Sequence, residues 1–260
     1  MGLIRSDPGR IWRLSLARPE ARNAVSRAML EELVSALGDA AADPGARVVL
    51  LSGQGDHFCA GADLGEVGAD LDGFHYGRTL EAALSAVIDH PLPLVAAVRG
   101  AALGAGCQLI TACDLVVAAD DARVGIPAVH LGIVLAFESI ERLVLAVGPR
   151  RAADLMLTGR EISGREAAAW GLVTQAVPPG DTDRRALDVA EAVARAAPLS
   201  VRGSKRGIQA VLNKLSVDRE SEGYRTTEFD MMAADALASE DLREGLRARR
   251  ERRPPKFRGR

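Results

Sequence analysis

The residue types that could do chemistry in this chain are concentrated in two short segments. They are His57-Phe58-Cys59-Ala60-Gly61-Ala62-Asp63-Leu64 and Leu103-Gly104-Ala105-Gly106-Cys107-Gln108-Leu109. Both are built mostly from small residues, which leave backbone N–H groups uncovered. Two such groups aimed at one point form an oxyanion hole, a fixed site for an oxygen that gains negative charge during reaction. A carboxylate beside that hole would move protons. Position 108, where such a group would suit the site, is a glutamine, which neither takes nor releases a proton near neutral pH.

Other reactive side chains lie nearby. Cys59 and Cys107 lie within the two loops, beside the small residues that would supply the N–H groups; nucleophilic work would require a neighbouring base that the sequence does not offer, so both read as small packing residues. His57 is a loop residue, and His75 and Tyr76 are candidates to line a channel to the site. Three cysteines without a CxxC pair give neither a disulfide framework nor a zinc site, and suit a reducing cytoplasm.

These loops need a scaffold. Residues 11–16 alternate apolar and polar and are expected to form a half-exposed strand. The runs 48–51, 94–98 and 115–118 are continuously apolar, the pattern of strands buried on both faces. Between them, Ser26 is placed to cap a helix carrying Leu30, Leu33, Val34 and Leu37. Residues 65–78 read as a mobile loop, 80–88 as a helix, and a short helix should begin near Gly106. From Ser139 onward the chain turns mainly helical. It has a capping box at Ser163 and Glu166, a short strand at 172–174, helices over 184–197 and 199–213 broken at Pro198, and a last helical stretch over 218–250. Helices alternating with apolar strands give an α/β fold with parallel pairing.

Across 260 residues, 48% are apolar, enough for a sizeable core. A net charge of −2 and only 3% aromatic residues argue against a nucleic-acid surface. No apolar run is long enough to span a bilayer. Neither glycine-rich loop has the GxGxxG spacing of a dinucleotide site. The stretch from Arg243 to Arg260 is strongly basic. It is either a solvated helix face and tail or a basic rim that meets ligand phosphates.

In order, a strand, Phe-Cys-Ala-Gly-Ala-Asp-Leu, a helix, a strand, Arg-Gly-Ala-Ala-Leu-Gly-Ala-Gly-Cys-Gln-Leu and Ala-Cys-Asp-Leu-Val-Val-Ala closely resemble the crotonase (enoyl-CoA hydratase/isomerase) superfamily. The resemblance extends over Arg18-Pro-Glu-Ala-Arg-Asn-Ala24, Leu131-Gly-Ile133, Glu141-Arg-Leu143, Leu157-Thr-Gly159 and Pro254-Pro-Lys-Phe257, nearly the whole chain. It implies a spiral of ββα units over residues 1–198 that binds acyl-CoA. It also implies a C-terminal helical region over 199–260 that covers the site and mediates a homotrimer or a dimer of trimers. The ligand would be a coenzyme A thioester, with no separate cofactor and no metal, in a cytoplasmic protein without nucleic-acid or membrane partners. By position, the two oxyanion-hole N–H groups would belong to Ala60 and Ala105. Arg22, Ala24, Gly61, Ala62, Asp63, Leu64 and Ala128 would join them in contacting CoA or the acyl group.

Two departures bear on the reaction. Hydratases of this family place one glutamate where Gln108 stands and a second where Ala128 stands, twenty residues later. Such a pair positions water and transfers its proton, work worth about 10²–10⁴-fold for one group. Replacement groups are Glu138, which either points into the acyl pocket or caps a helix, and His130, which is either catalytic or structural. Glu141 and Arg142 read as a structural ion pair. Two functions follow: a crotonase-type lyase or isomerase with weak or absent hydration, or a non-catalytic acyl-CoA-binding protein of fatty-acid metabolism.

Overall fold

The computed structural model describes residues 2–5, 9–69, 74–215, 231 and 234–258. The apolar runs pair as expected. A six-stranded sheet takes the order β1 (Leu3–Arg5), β2 (Ile11–Leu16), β3 (Val48–Gly53), β4 (Leu94–Val98), β6 (Leu115–Ala119), β9 (Gln175–Val177). All neighbours are parallel except β1 and β2. A second sheet of three short strands, β5 (Ala101–Leu103), β7 (Arg123–Gly125) and β8 (Glu161–Ser163), stands beside it.

Period-two alternation divides the strand residues between two cores. Val49, Leu51, Leu94, Ala96 and Val98 face the main core, together with Leu30, Leu33 and Leu37 of α1 (Arg27–Ala42) and Leu80 and Leu84 of α3 (Phe74–Ile88). Val48, Leu50, Val95, Ala97 and Val117 face the other way, onto Ala186, Ala190 and Ala194 of α8 (Thr182–Arg195). Alanine every fourth residue lets that helix lie close on the sheet. Ser26 caps α1 by accepting from the Met29 N–H, and Ser163 caps α7 (Gly164–Trp170) through the Glu166 N–H.

Three expectations change. Residues 65–78 are not simply a loop: α2 (Leu64–Ala69) and the first turn of α3 occupy its described part, while 70–73 lie outside the described residues. The expected strand at 172–174 is displaced to β9. Gly171 ends α7 in the left-handed region, the Leu172 N–H folds back to the Ala167 carbonyl, and pairing starts only where the chain meets β6. The helix expected from Ser139, α5, runs Phe137–Val147.

The expected helix over 218–250 falls partly outside the described residues, and its described end is α10 (Glu240–Glu251). That helix folds back on the turn at Pro127–Leu131, where a Cβ at Gly245 would lie 2.7 Å from the Leu131 carbonyl oxygen. Upstream, α9 (Pro198–Leu215) is fastened to the body by Lys205, whose buried ammonium donates to Asp114 (2.7 Å) and to the Leu92 carbonyl (3.1 Å).

Candidate active site

The first loop is an extended segment between two neighbours. On one edge, the Cys59 N–H donates to the Ala101 carbonyl (2.8 Å) and the Cys59 carbonyl accepts from the Leu103 N–H (2.9 Å). On the other edge, the Ala60 N–H donates to the Arg22 carbonyl (3.0 Å). Gly61 then turns the chain with φ 122°, a conformation that favours glycine. Beyond it the Val25 N–H donates to the Gly61 carbonyl and the Asp63 N–H to the Val25 carbonyl, each 2.9 Å. Bonds to one neighbour from both flanking residues turn the intervening N–H to the opposite edge. That residue is Ala62, and its N–H faces the side where Leu103 to Ala105 run.

The second loop delivers a helix start. The short helix α4 (Ala105–Ala112) begins after Gly104, and its first intrahelical bond runs from the Gln108 N–H to the Gly104 carbonyl (3.0 Å). The N–H of Ala105 is one of the four that a helix leaves unpaired at its N-terminus. The loops touch: a Cβ at Gly106 would fall 2.4 Å from the Cys59 carbonyl oxygen, and one at Gly104 would lie 3.7 Å from the Gly61 Cα. Among the described residues, none accepts from the N–H of Ala62 or of Ala105.

The expectation for Ala60 is therefore corrected. Its N–H is already spent on Arg22, and the unpaired N–H on this loop that faces Ala105 is that of Ala62. The alternation of N–H directions on either side of Gly61 is the signal that would have located it.

Gln108 lies one turn along α4 from Ala105, on the same helix face, and is 7% exposed. Its side-chain amide lies 2.5 Å from the Ser139 hydroxyl. That hydroxyl also lies 2.6 Å from Glu81 Oε1 and 2.7 Å from Arg142 Nη2. Arg142 closes the cluster by donating to Glu81 Oε2 (2.8 Å). The earlier pairing of Arg142 with Glu141 is thus replaced by one with Glu81, across from α3. Three members of this group, Glu81, Ser139 and Arg142, escaped the sequence reading as site residues. A signal existed: Ser139, Leu143 and Val147 recur at every fourth position and are all buried, so Ser139 belongs to the inner stripe of α5.

The same geometry turns Glu138 away. Successive helix residues are rotated by roughly 100°, and Glu138 is exposed while Ser139 is buried. It occupies the first turn of α5, where a carboxylate suits the helix dipole. His130 is also exposed; its ring lies over Gly159, where a Cβ would meet Nε2 at 2.5 Å, so it packs on the helix end at Gly159 and does not join Gln108. Ala128 sits half-buried in the Pro127–Leu131 turn, against the main core.

The proposed CoA-contacting turn is well anchored. Arg22 and Asn23 are both left-handed, with φ 51° and 56°. Asn23 is fully buried; its amide donates to the Gln54 and His57 carbonyls and accepts from the Arg18 N–H. Arg18 in turn donates to the Ala24 carbonyl (3.1 Å) and pairs with Asp63 (2.8 Å). Asp63 also accepts from the Gly65 N–H (3.1 Å), capping the start of α2, whose first residue is Leu64. Tyr76 is buried and its hydroxyl donates to the Val25 carbonyl (2.8 Å), locking α3 onto this turn. His75 is exposed. Burial pushes the Cys59 and Cys107 thiols up to about 12, which removes them as nucleophiles near neutral pH.

Among the described residues, no cluster of three His, Cys, Asp or Glu is placed to hold a metal ion, and no helix is long and apolar enough to cross a membrane.

Known proteins resemble this chain over nearly its whole length. The sequence profile of the enoyl-CoA hydratase/isomerase family matches residues 7–260. A Thermus thermophilus protein described as a candidate enoyl-CoA hydratase is 40% identical over 98% of this chain and 100% of its own. The Escherichia coli 2,3-dehydroadipyl-CoA hydratase is 36% identical over 99% of both chains. The crystal structure of an enoyl-CoA hydratase/isomerase from Pseudoalteromonas atlantica superposes with a TM-score of 0.84 at 35% identity, covering 99% of this chain and 100% of that one. A profile match over almost the full length, joined by relatives of 35–40% identity that cover nearly the whole chain, leads to one conclusion: the chain belongs to the enoyl-CoA hydratase/isomerase family of the crotonase superfamily.

Proposed function

We propose that this protein binds a coenzyme A thioester with the thioester oxygen between the N–H groups of Ala62 and Ala105, and that it acts on the acyl group by lyase or isomerase chemistry with little or no standard hydration. The convergence of two unspent N–H groups beside Gln108 carries the reading. An enolate oxygen held there needs no side chain, so the frame serves any reaction that passes through an enolate. Hydration additionally needs groups that position water and carry its proton, and neither Gln108 nor Ala128 titrates.

A second reading, binding of acyl-CoA without turnover, is favoured by one observation: the amide of Gln108 is held by Ser139 in a cluster already closed on itself by Arg142 and Glu81. The two readings separate experimentally. Butyryl-CoA and palmitoyl-CoA are titrated by calorimetry while crotonyl-CoA absorbance and double-bond migration in 3-enoyl-CoA are followed. Binding is expected, with hydration near background. Binding without turnover at any chain length establishes the second reading. Absence of acyl-CoA binding, or vigorous hydration by the wild-type protein, contradicts the first.

A further inference from the structure

A cleft of about 310 Å³ lies at the end of the large sheet opposite the thioester loops. It forms where α9 passes the N-terminal ends of β4 and β6: His90 and Pro91 precede β4, and Asp114 precedes β6. The thioester loops leave the C-terminal ends of β3 and β4. The five residues of β4, at about 3.3 Å each, put about 16 Å between the two ends.

Helix α9 supplies the charge. Arg202, Lys205 and Arg206 stand at positions i, i+3 and i+4, share one helix face and all line the cleft. Like charges at this spacing repel one another. Lys205 is relieved by Asp114 and by the Leu92 carbonyl, but an ammonium has three donors, and its third N–H has no acceptor among the described residues. Arg202 and Arg206 make no ion pair or hydrogen bond among the described residues, although Asp89 lines the same cleft. The other walls leave these donors free. The ring nitrogens of His90 already lie against backbone atoms of Leu37 and Leu92. The Ile88 carbonyl at the end of α3, which would repel an anion, is covered by the Gln209 amide.

We propose that this cleft binds a phosphate group, carried as inorganic phosphate or on a small phosphomonoester, between Arg202 and Arg206 with the spare N–H of Lys205 beneath it. Two unpaired guanidiniums are neutralised by a dianion, and a phosphomonoester carries nearly two negative charges near neutral pH. Guanidinium forks match phosphate oxygens in pairs. The Lys205 side chain is only 5% exposed, so its charge is screened little by solvent ions. The bound group would tie α9 to the body beside the Lys205–Asp114 fastening. This site goes beyond the acyl-CoA reading and does not rest on it.

The test titrates the full-length protein by calorimetry with sodium phosphate, glycerol 3-phosphate and sodium chloride at constant ionic strength. Both phosphates should bind and chloride should not; the tighter of the two identifies the source the cleft takes. Arg202 and Arg206 are exposed, so Arg202→Gln and Arg206→Gln should keep the fold by circular dichroism. Each should weaken phosphate about tenfold, the scale of one hydrogen bond to a charged group. Asp89→Asn removes the one unpaired carboxylate of the cleft and should tighten phosphate about two- to fivefold, the scale of an exposed charge interaction. Butyryl-CoA affinity should be the same in all three variants, because the cleft faces away from the thioester loops. Should the protein not bind butyryl-CoA at all, the acyl-CoA reading fails while the phosphate titrations still decide this one. Phosphate binding no stronger than chloride, or unchanged in both arginine variants, overturns the proposal. So does a butyryl-CoA affinity that falls in step with phosphate affinity, which would make the cleft part of the coenzyme A site.

Discussion

At the residue scale, the proposed thioester site depends on which donors are already spent. Ala60 and Ala62 are chemically identical and two positions apart, yet the N–H of Ala60 is consumed by Arg22 while that of Ala62 has no acceptor among the described residues. Ala105 offers a clean way to remove the second donor, because proline is tolerated at the first position of a helix and has no N–H. If the enzyme reading holds, Ala105→Pro should retain the fold by circular dichroism and lose turnover about 10²–10³-fold, the usual cost of one oxyanion donor. Paired substitution of Gln108 and Ala128 by glutamate should raise crotonyl-CoA hydration above the wild-type rate; no gain would show that the water-bearing pocket has also been reshaped. The thiols Cys59 and Cys107, buried and pushed up to about 12, should resist alkylation at pH 8 until denaturant is added.

At the element scale, α4 and the Cys59–Ala62 segment must touch for their N–H groups to converge. Gly106 permits this. An alanine there would drive its Cβ against the Cys59 carbonyl, and overpacking of this kind costs about 1–3 kcal/mol. The separation of the loops should cost acyl-CoA affinity as well, measurable by calorimetry alongside the denaturant midpoint. Much of this scaffold was legible beforehand. The strands at 11–16, 48–51, 94–98 and 115–118 announced themselves by alternation or by continuous burial, and Ser26 and Ser163 announced helix starts. The second sheet did not, since three-residue strands such as Arg123–Gly125 carry no period. Nor did the link from Glu81 to Gln108, which joins three helices through side chains distant in sequence. The loop motifs put the first proposed donor at Ala60, whose N–H the structure gives to Arg22, because glycine at 61 reverses which neighbour each N–H faces.

At the scale of the whole molecule, the two cores and their fastenings set stability. His90 is buried behind α1, with Nε2 2.9 Å from the Leu37 carbonyl oxygen and Nδ1 3.2 Å from both the backbone nitrogen and the carbonyl oxygen of Leu92. Burial holds its pKa below the ordinary 6.5. Below pH 6.5 the unfolded chain thus binds a proton that the folded protein refuses, so stability should fall as pH drops through that window. In His90→Gln the denaturant midpoint should be flatter over the same range. Assembly belongs to this scale too: α9 leaves Ile208 and Val211 on the surface, and we propose a trimer or a pair of trimers. Sedimentation should return three or six times 27.4 kDa, and a monomer at micromolar concentration would refute that proposal. The proposed binding mode turns on a single oxygen, that of the thioester carbonyl. Infrared difference spectroscopy of butyryl-CoA labelled with ¹³C at the thioester carbonyl reads that oxygen directly. Bound to the wild-type protein, the carbonyl stretch should move to lower frequency than in water, and in Ala105→Pro the shift should shrink; a bound thioester with an unshifted carbonyl would contradict the account.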